Sequence, residues 1–228
     1  MTMPSRFDKA IADASAELAK AGNPDVASGM ARYMKTEMPF FGVQKPGRAP
    51  ILKRLLSTAI PENDEEYQVL VSDLWDLPHR EEKYLALSVA DRWKAFHRQS
   101  SLVLFERMIR EGAWWDLVDH AATRLVGPTL INSPEAWPTI DGWIESDDLW
   151  IRRSAIICQI KAKTFTDRER LANYCVVSLN ETDFFIRKAI GWALREYAKT
   201  DTDWVKGFVS ENRQSMASLS YREATKHF

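Results

Sequence analysis

The sequence predicts an all-α solenoid of helix pairs, and three observations point there. Apolar residues recur at spacings of three and four, without the period-two alternation of strands. Glycines are few, nine in 228 residues, and the prolines fall where helices would start or stop. A motif also returns at a fixed interval. WDLVDHAA begins at Trp115, WIRRSAII at Trp150 and FIRKAIGW at Phe185, each 35 residues after the last. A fainter copy, REEKYLAL, begins 35 residues earlier at Arg80. Such a period, with two helices per unit, is how α-solenoids read in sequence.

Taken in order, the chain reads as about a dozen short helices joined by short loops, with no linker long enough to divide it. One domain over 1–228 is the expectation, and 45% hydrophobic content suffices for one sizeable core. The opening MTMPSRFDKAIADASAEL lacks the apolar centre of a signal peptide, and no later run approaches membrane-span length, so a cytoplasmic protein with no membrane partner is expected. ENDEE at 62–66 suits an acidic helix start. Ser133-Pro134-Glu135 reads as an N-cap followed by proline in the first turn. Asp147 and Asp148 before Trp150, and Thr182 and Asp183 before Phe184, offer caps and favourable charge. Thr166-Asp167-Arg168-Glu169 has capping-box spacing. Cys158 and Cys175 form no metal or redox spacing and read as buried free thiols. Trp75, Trp93, Trp137, Trp143 and Trp204 read as core.

The aromatic–Ile–Arg–Arg/Lys–x–Ala pattern resembles the second helix of a HEAT-like repeat, and such helices line the concave face of a superhelical, C-shaped array. That places Trp115, Asp119, Arg153, Lys188 and Trp192 along one groove. Trp115 and Asp119, four residues apart, share a helix face. The plainer alternative is a tryptophan half-buried in a helix seam with Asp119 bonded to a neighbouring helix. Of Arg152-Arg153 and Arg187-Lys188, only one member each can face the groove, because adjacent helical residues diverge by about 100°. Arg153 and Lys188 are the chosen pair.

The net charge of −1 is unevenly spread: +4 over 1–60, −4 over 61–111, −6 over 112–150 and +5 over 151–228. Basic ends around an acidic middle suit a polyanion if the fold brings them to one face. Arg and Lys at equivalent repeat positions suit successive phosphates. Tryptophan faces suit cations and sugar C–H groups. A carboxylate among them can stabilise developing positive charge or orient water. The set contains no cysteine or histidine nucleophile, no Gly-rich phosphate loop and no metal-ligand spacing, so neither a metal nor a nucleotide cofactor is expected.

At these residues the chain resembles a known family. WWDLVD, WIRRSAI and FFIRKAIGWALREYAKTD are similar to motifs of the AlkD-like DNA alkylation repair glycosylases, as are YMKTEMPFFGVQKPGR near the N-terminus and LSYREATKHF at the C-terminus. Gly47-Arg48-Ala49-Pro50 stands where the family's pattern would suggest a basic pair after Pro46. The resemblance implies a monomeric, monofunctional alkylpurine DNA glycosylase with no cofactor. It would excise cationic N3- or N7-alkylated purines from double-stranded DNA without base flipping, initiating base excision repair. It further implies Asp119 as the catalytic carboxylate between Trp115 and Trp192, with Arg153 on a phosphate and Tyr33 near the DNA backbone. Lys188, from its repeat position, and Lys35 and Arg48, in the N-terminal motif, are also expected to contact DNA.

Two other readings stay open on sequence grounds: a non-catalytic HEAT-like module recognising DNA shape and backbone, and a solenoid holding a peptide in its groove. A carboxylate facing a polyanion is a cost for a pure binder, which favours catalysis. A line of cations argues against the peptide.

Overall fold

A computed structural model describes residues 5–227. Met1–Pro4, the start of the segment read above for a leader, and Phe228, which ends the C-terminal motif, lie outside the described residues. The described chain is helical, with no strand, and it divides into two compact units, one ending at Phe96 and the other beginning at His97.

The first unit contains α1 (Asp8–Ala21), α2 (Pro24–Met34), α3 (Lys45–Thr58), α4 (Asp64–Asp76) and α5 (Arg80–Arg92). Asn23 caps α2 and Asn63 caps α4, each through its side-chain oxygen on backbone N–H groups, with Pro24 in the first turn of α2. The acidic run 62–66 starts α4 as its charge predicts. The segment between α2 and α3 is held by backbone bonds from Asn23 to Phe41 O and from Arg80 to Pro39 O, and by one buried carboxylate. Glu81, wholly buried in the first turn of α5, accepts the backbone N–H groups of Phe41, Gly42 and Val43 at 2.9–3.0 Å. Gly42 has a φ of 86°, and a Cβ there would run into the backbone of Asn23 and Ala27. A carboxylate with three backbone donors replaces the helix that this loop does not form.

The second unit contains α6 (Leu102–Gly112), α7 (Trp115–His120), α8 (Gly127–Asn132), α9 (Trp137–Trp143), α10 (Leu149–Ile157), α11 (Arg168–Val177), α12 (Phe184–Ala198), α13 (Thr202–Glu211) and α14 (Ser218–Ala224). Ala113, at φ 38°, ends α6, and extended Trp114 starts α7. A six-residue π-helix, Ala121–Val126, joins α7 to α8. Pro128 follows it and lacks the N–H that a regular α-helix would use there. Asp148 and Asp183 cap α10 and α12 as predicted. Two expected starts shift. Asp167, not Thr166, caps α11, because its side chain reaches the N–H of Arg170. Ser133 makes no side-chain cap; Pro134–Ala136 form a 3-10 turn and α9 begins at Trp137.

Cys158 and Cys175 are free and buried, and burial pushes each thiol up to about 12. Trp75 and Trp143 are core residues, whereas Trp93, Trp137 and Trp204 are half-buried.

Candidate active site

Three helix starts put this chemistry at one level. Asp119, Arg153 and Lys188 are each the fifth residue of their helices, α7, α10 and α12. Equal registers on helices packed side by side bring equal positions to the same height. These three line one open pocket of about 280 Å³ with Trp115, Trp192, Phe184, Phe185 and Arg195. The structure therefore brings together five of the eight residues singled out from sequence.

The two tryptophans of the WW pair separate in role. Trp115, the first helical residue of α7, faces the pocket. Trp114 turns the other way, into an aromatic cluster with Trp150 and Phe185, whose ring centres lie 4.8–5.8 Å apart. This cluster packs the first turns of α7, α10 and α12 against one another and so fixes the helices that carry the site.

Asp119 and Arg153 form a bidentate pair. Arg153 Nε donates to Asp119 Oδ1 and Nη2 donates to Oδ2, both at 2.8 Å, and Nη1 donates to the carbonyl of Phe185 at 2.6 Å. Arg153 is only 3% exposed, so its guanidinium is an internal group. The groove-facing cation read from sequence is turned onto a carboxylate, because both sit at the same level of adjacent helices. Burial pushes the Asp119 carboxyl above its ordinary value. The Arg153 hydrogen bonds and charge offset part of that rise, and Asp116 adds to it.

Lys188 Nζ donates to Glu223 Oε1 on α14 at 2.7 Å, and Arg195 Nη1 pairs with Oε2 of the same carboxylate. These donors hold the Glu223 carboxyl below its ordinary value, Lys188 first. Arg152 and Arg187 turn away from the pocket, bonding Ser146 O and Glu181 O respectively, so Arg153 and Lys188 are the inward members of their pairs.

Tyr33, Lys35 and Arg48 belong to the first unit. Tyr33 is 71% exposed on α2, Lys35 is the left-handed residue that ends this helix, and Arg48 bonds Val43 O and stacks on Tyr84. Sequence reasoning missed Phe184, Phe185, Arg195 and Glu223. Arg195 was within reach, since residues 188, 192 and 195 follow the i, i+4, i+7 line of one helix face. Among the described residues no three His, Cys, Asp or Glu side chains are arranged to hold a metal ion, and no helix is long and apolar enough to cross a membrane. A larger cavity of about 550 Å³, between Ile156, Leu171, Tyr197, Lys161, Lys163 and Lys199, contains none of the predicted residues.

A family model described as DNA alkylation repair enzyme matches residues 14–228. The chain belongs to the DNA alkylation repair enzyme family. A solved structure titled a predicted DNA alkylation repair enzyme, from Enterococcus faecalis, superposes with a TM-score of 0.81 at 29% identity, covering 91% of this chain and 96% of that one. No curated protein matches. For this member of the DNA alkylation repair family, the match supports the α-solenoid fold and a role in alkylation repair.

Proposed function

We propose that this protein is a monofunctional, cofactor-free DNA glycosylase, acting as a cytoplasmic monomer, that hydrolyses the N-glycosidic bond of N3- or N7-alkylated purines in duplex DNA. In this reading the whole chain is one repair domain, which the family match over 14–228 supports. The observation that carries the reading is a fixed carboxylate, Asp119, beside two aromatic residues, Trp115 and Trp192, in an open pocket.

Alkylation at N3 or N7 leaves the purine cationic, so it departs as a neutral base and needs no general acid. What remains is an oxocarbenium-like sugar and the delivery of water. Asp119 supplies negative charge where positive charge develops on the sugar, and it orients the attacking water. Arg153 holds both carboxylate oxygens, which fixes the plane of the group and favours its ionised form against burial. Trp115 and Trp192 flank the sugar and the cationic base with their π faces. An open pocket rather than a deep one suits a lesion handled without extrusion from the helix. Lys188, Tyr33, Lys35 and Arg48 contact backbone phosphates. A phosphate contact by Arg153 would have to use N–H groups not already given to Asp119 and Phe185.

A module that only binds DNA backbone gains nothing from a carboxylate held rigidly in its pocket, so Asp119 favours catalysis over that alternative. The test is release of 7-methylguanine from a defined duplex by wild type and Asp119→Asn at matched protein and salt. Release by the wild type with near-loss in the variant is the expected result. Equal release by both would move the catalytic group elsewhere. No release from this duplex or an N3-methyladenine duplex, with DNA still bound, would favour the binding module.

A further inference from the structure

Glu223 occupies a place that the proposed reading does not use. Its carboxylate bridges Lys188 and Arg195, two cations that line the same pocket as Trp115 and Asp119. Lys188 and Arg195 lie two turns apart on α12, and Gly191 lies between them on that face. A Cβ at Gly191 would collide with Glu223 Cβ and come within 2.8 Å of Ser220 O. The glycine therefore lets α14 approach closely enough for one carboxylate to reach both cations.

The carboxylate is not what docks α14. Ser220 and Ala224 are buried, and Ser220 Oγ donates to Arg187 O at 2.9 Å. With the helix anchored through these contacts, the Glu223 side chain can leave its partners without undocking it. Two oxygens of one anion, held between an ammonium and a guanidinium, also have the donor arrangement that a phosphodiester would use. Asp119 and Arg153 cancel in charge, so the pocket's surplus is the pair Lys188 and Arg195, and Glu223 removes half of it.

We propose that Glu223 is an internal competitor for the DNA phosphate: it holds Lys188 and Arg195 in the free protein and is displaced from them by a backbone phosphate of the bound duplex. The proposal rests on the reading of this pocket as a DNA site. It makes Glu223 a residue that sets affinity, and it adds Arg195 to the DNA contacts. Removing the competitor tightens binding, whereas removing a merely structural strut would weaken it.

The experiment measures fluorescence anisotropy of a labelled undamaged duplex and of the same duplex carrying 7-methylguanine. It compares wild type, Glu223→Gln, Glu223→Asp, and the Lys188→Gln/Arg195→Gln double variant with and without Glu223→Gln. Thermal melting of each variant controls for folding. Glu223→Gln is expected to bind both duplexes about fivefold tighter, the value of one partly exposed ion pair. Glu223→Asp, one methylene too short to span both cations, should tighten binding less. The gain must vanish without Lys188 and Arg195; a gain that persists there reports only long-range charge and overturns the proposal. Unchanged or weaker binding by folded Glu223→Gln overturns it as well. If that variant does not fold, wild-type or weaker affinity in Glu223→Asp does the same. Base release is scored in the same samples, so the two claims separate. Tighter binding without release by any protein would keep the competition and remove the glycosylase. Release by the wild type without tighter binding would do the reverse, and no DNA binding by any protein would remove both.

Discussion

Asp119 and Arg153 meet across α7 and α10 through two parallel N–H···O bonds of 2.8 Å, with the arginine side chain 4% and the aspartate side chain 18% exposed. A pair so enclosed fixes the orientation and protonation of the carboxylate together. Each member also becomes costly to remove alone, because the other is left charged and buried.

Replacing Asp119 by Asn should lower single-turnover release of 7-methylguanine by about 10²–10³, equivalent to about 3–4 kcal/mol of lost stabilisation of the transition state. Duplex affinity measured at the same salt should not fall, since the variant loses a negative charge from the proposed DNA pocket.

Arg153→Met should be among the most destabilising substitutions in the second unit, by about 3–5 kcal/mol in urea denaturation, because it strands the Asp119 carboxylate and frees the Phe185 carbonyl. Arg153→Met with Asp119→Leu should recover much of that loss while remaining inactive. Recovery of stability without recovery of excision would separate the pair's structural role from its chemical one.

The pH dependence follows from the raised Asp119 carboxyl. In the proposed glycosylase excision needs the ionised form, so the rate should fall as pH drops through a value above the ordinary aspartate range near 4. The sign is fixed by the direction of the shift: burial favours the proton, so the acid limb moves up, and Arg153→Lys, with one contact in place of two, should move it further. Residual activity in Asp119→Asn should show no such limb.

Two glycine substitutions should act in opposite senses. Gly191→Ala puts a Cβ against Glu223 and Ser220 and should cost about 1–3 kcal/mol, seen as earlier melting. Gly207→Ala, in α13 with open space around it, should stabilise by about 0.5–1 kcal/mol through helix propensity and reduced unfolded-state freedom.

Glu81→Ala should destabilise the first unit by about 3 kcal/mol or more, since three backbone N–H groups, two of them buried, lose their acceptor. Hydrogen exchange should localise the effect to residues 39–45. Protection there equal to wild type would mean that the loop is held by other contacts.

The 35-residue spacing was enough to give Arg153 and Lys188 equivalent positions, because a helical repeat returns the same position at the same height. Asp119, 34 residues before Arg153, joins their level only because α10 starts one residue earlier in its motif than α7 does. Local capping chemistry located the starts of α10 and α12, where an Asp sits beside the N–H groups it caps. It slipped by a residue at Thr166-Asp167, where two good caps are adjacent and only the geometry of the turn chooses between them. Glu81 was invisible, since a buried carboxylate and a solvated one look alike in a run such as REEKYLAL.

The sequence by itself determined the helical class, the repeat, the family motifs and which residue types face the pocket, because each of these is written in short-range order along the chain. Tertiary structure alone decided the partners. Arg153 binds Asp119 instead of standing unpaired in the groove, Trp114 and Trp115 part company, and Glu223 crosses from α14 to hold Lys188 and Arg195. The physical reason is that an ionic contact depends on distances of a few ångströms between helices far apart in sequence. No periodicity encodes those distances; packing sets them, here through a glycine that admits α14 and an aromatic cluster that aligns the helices bearing the site.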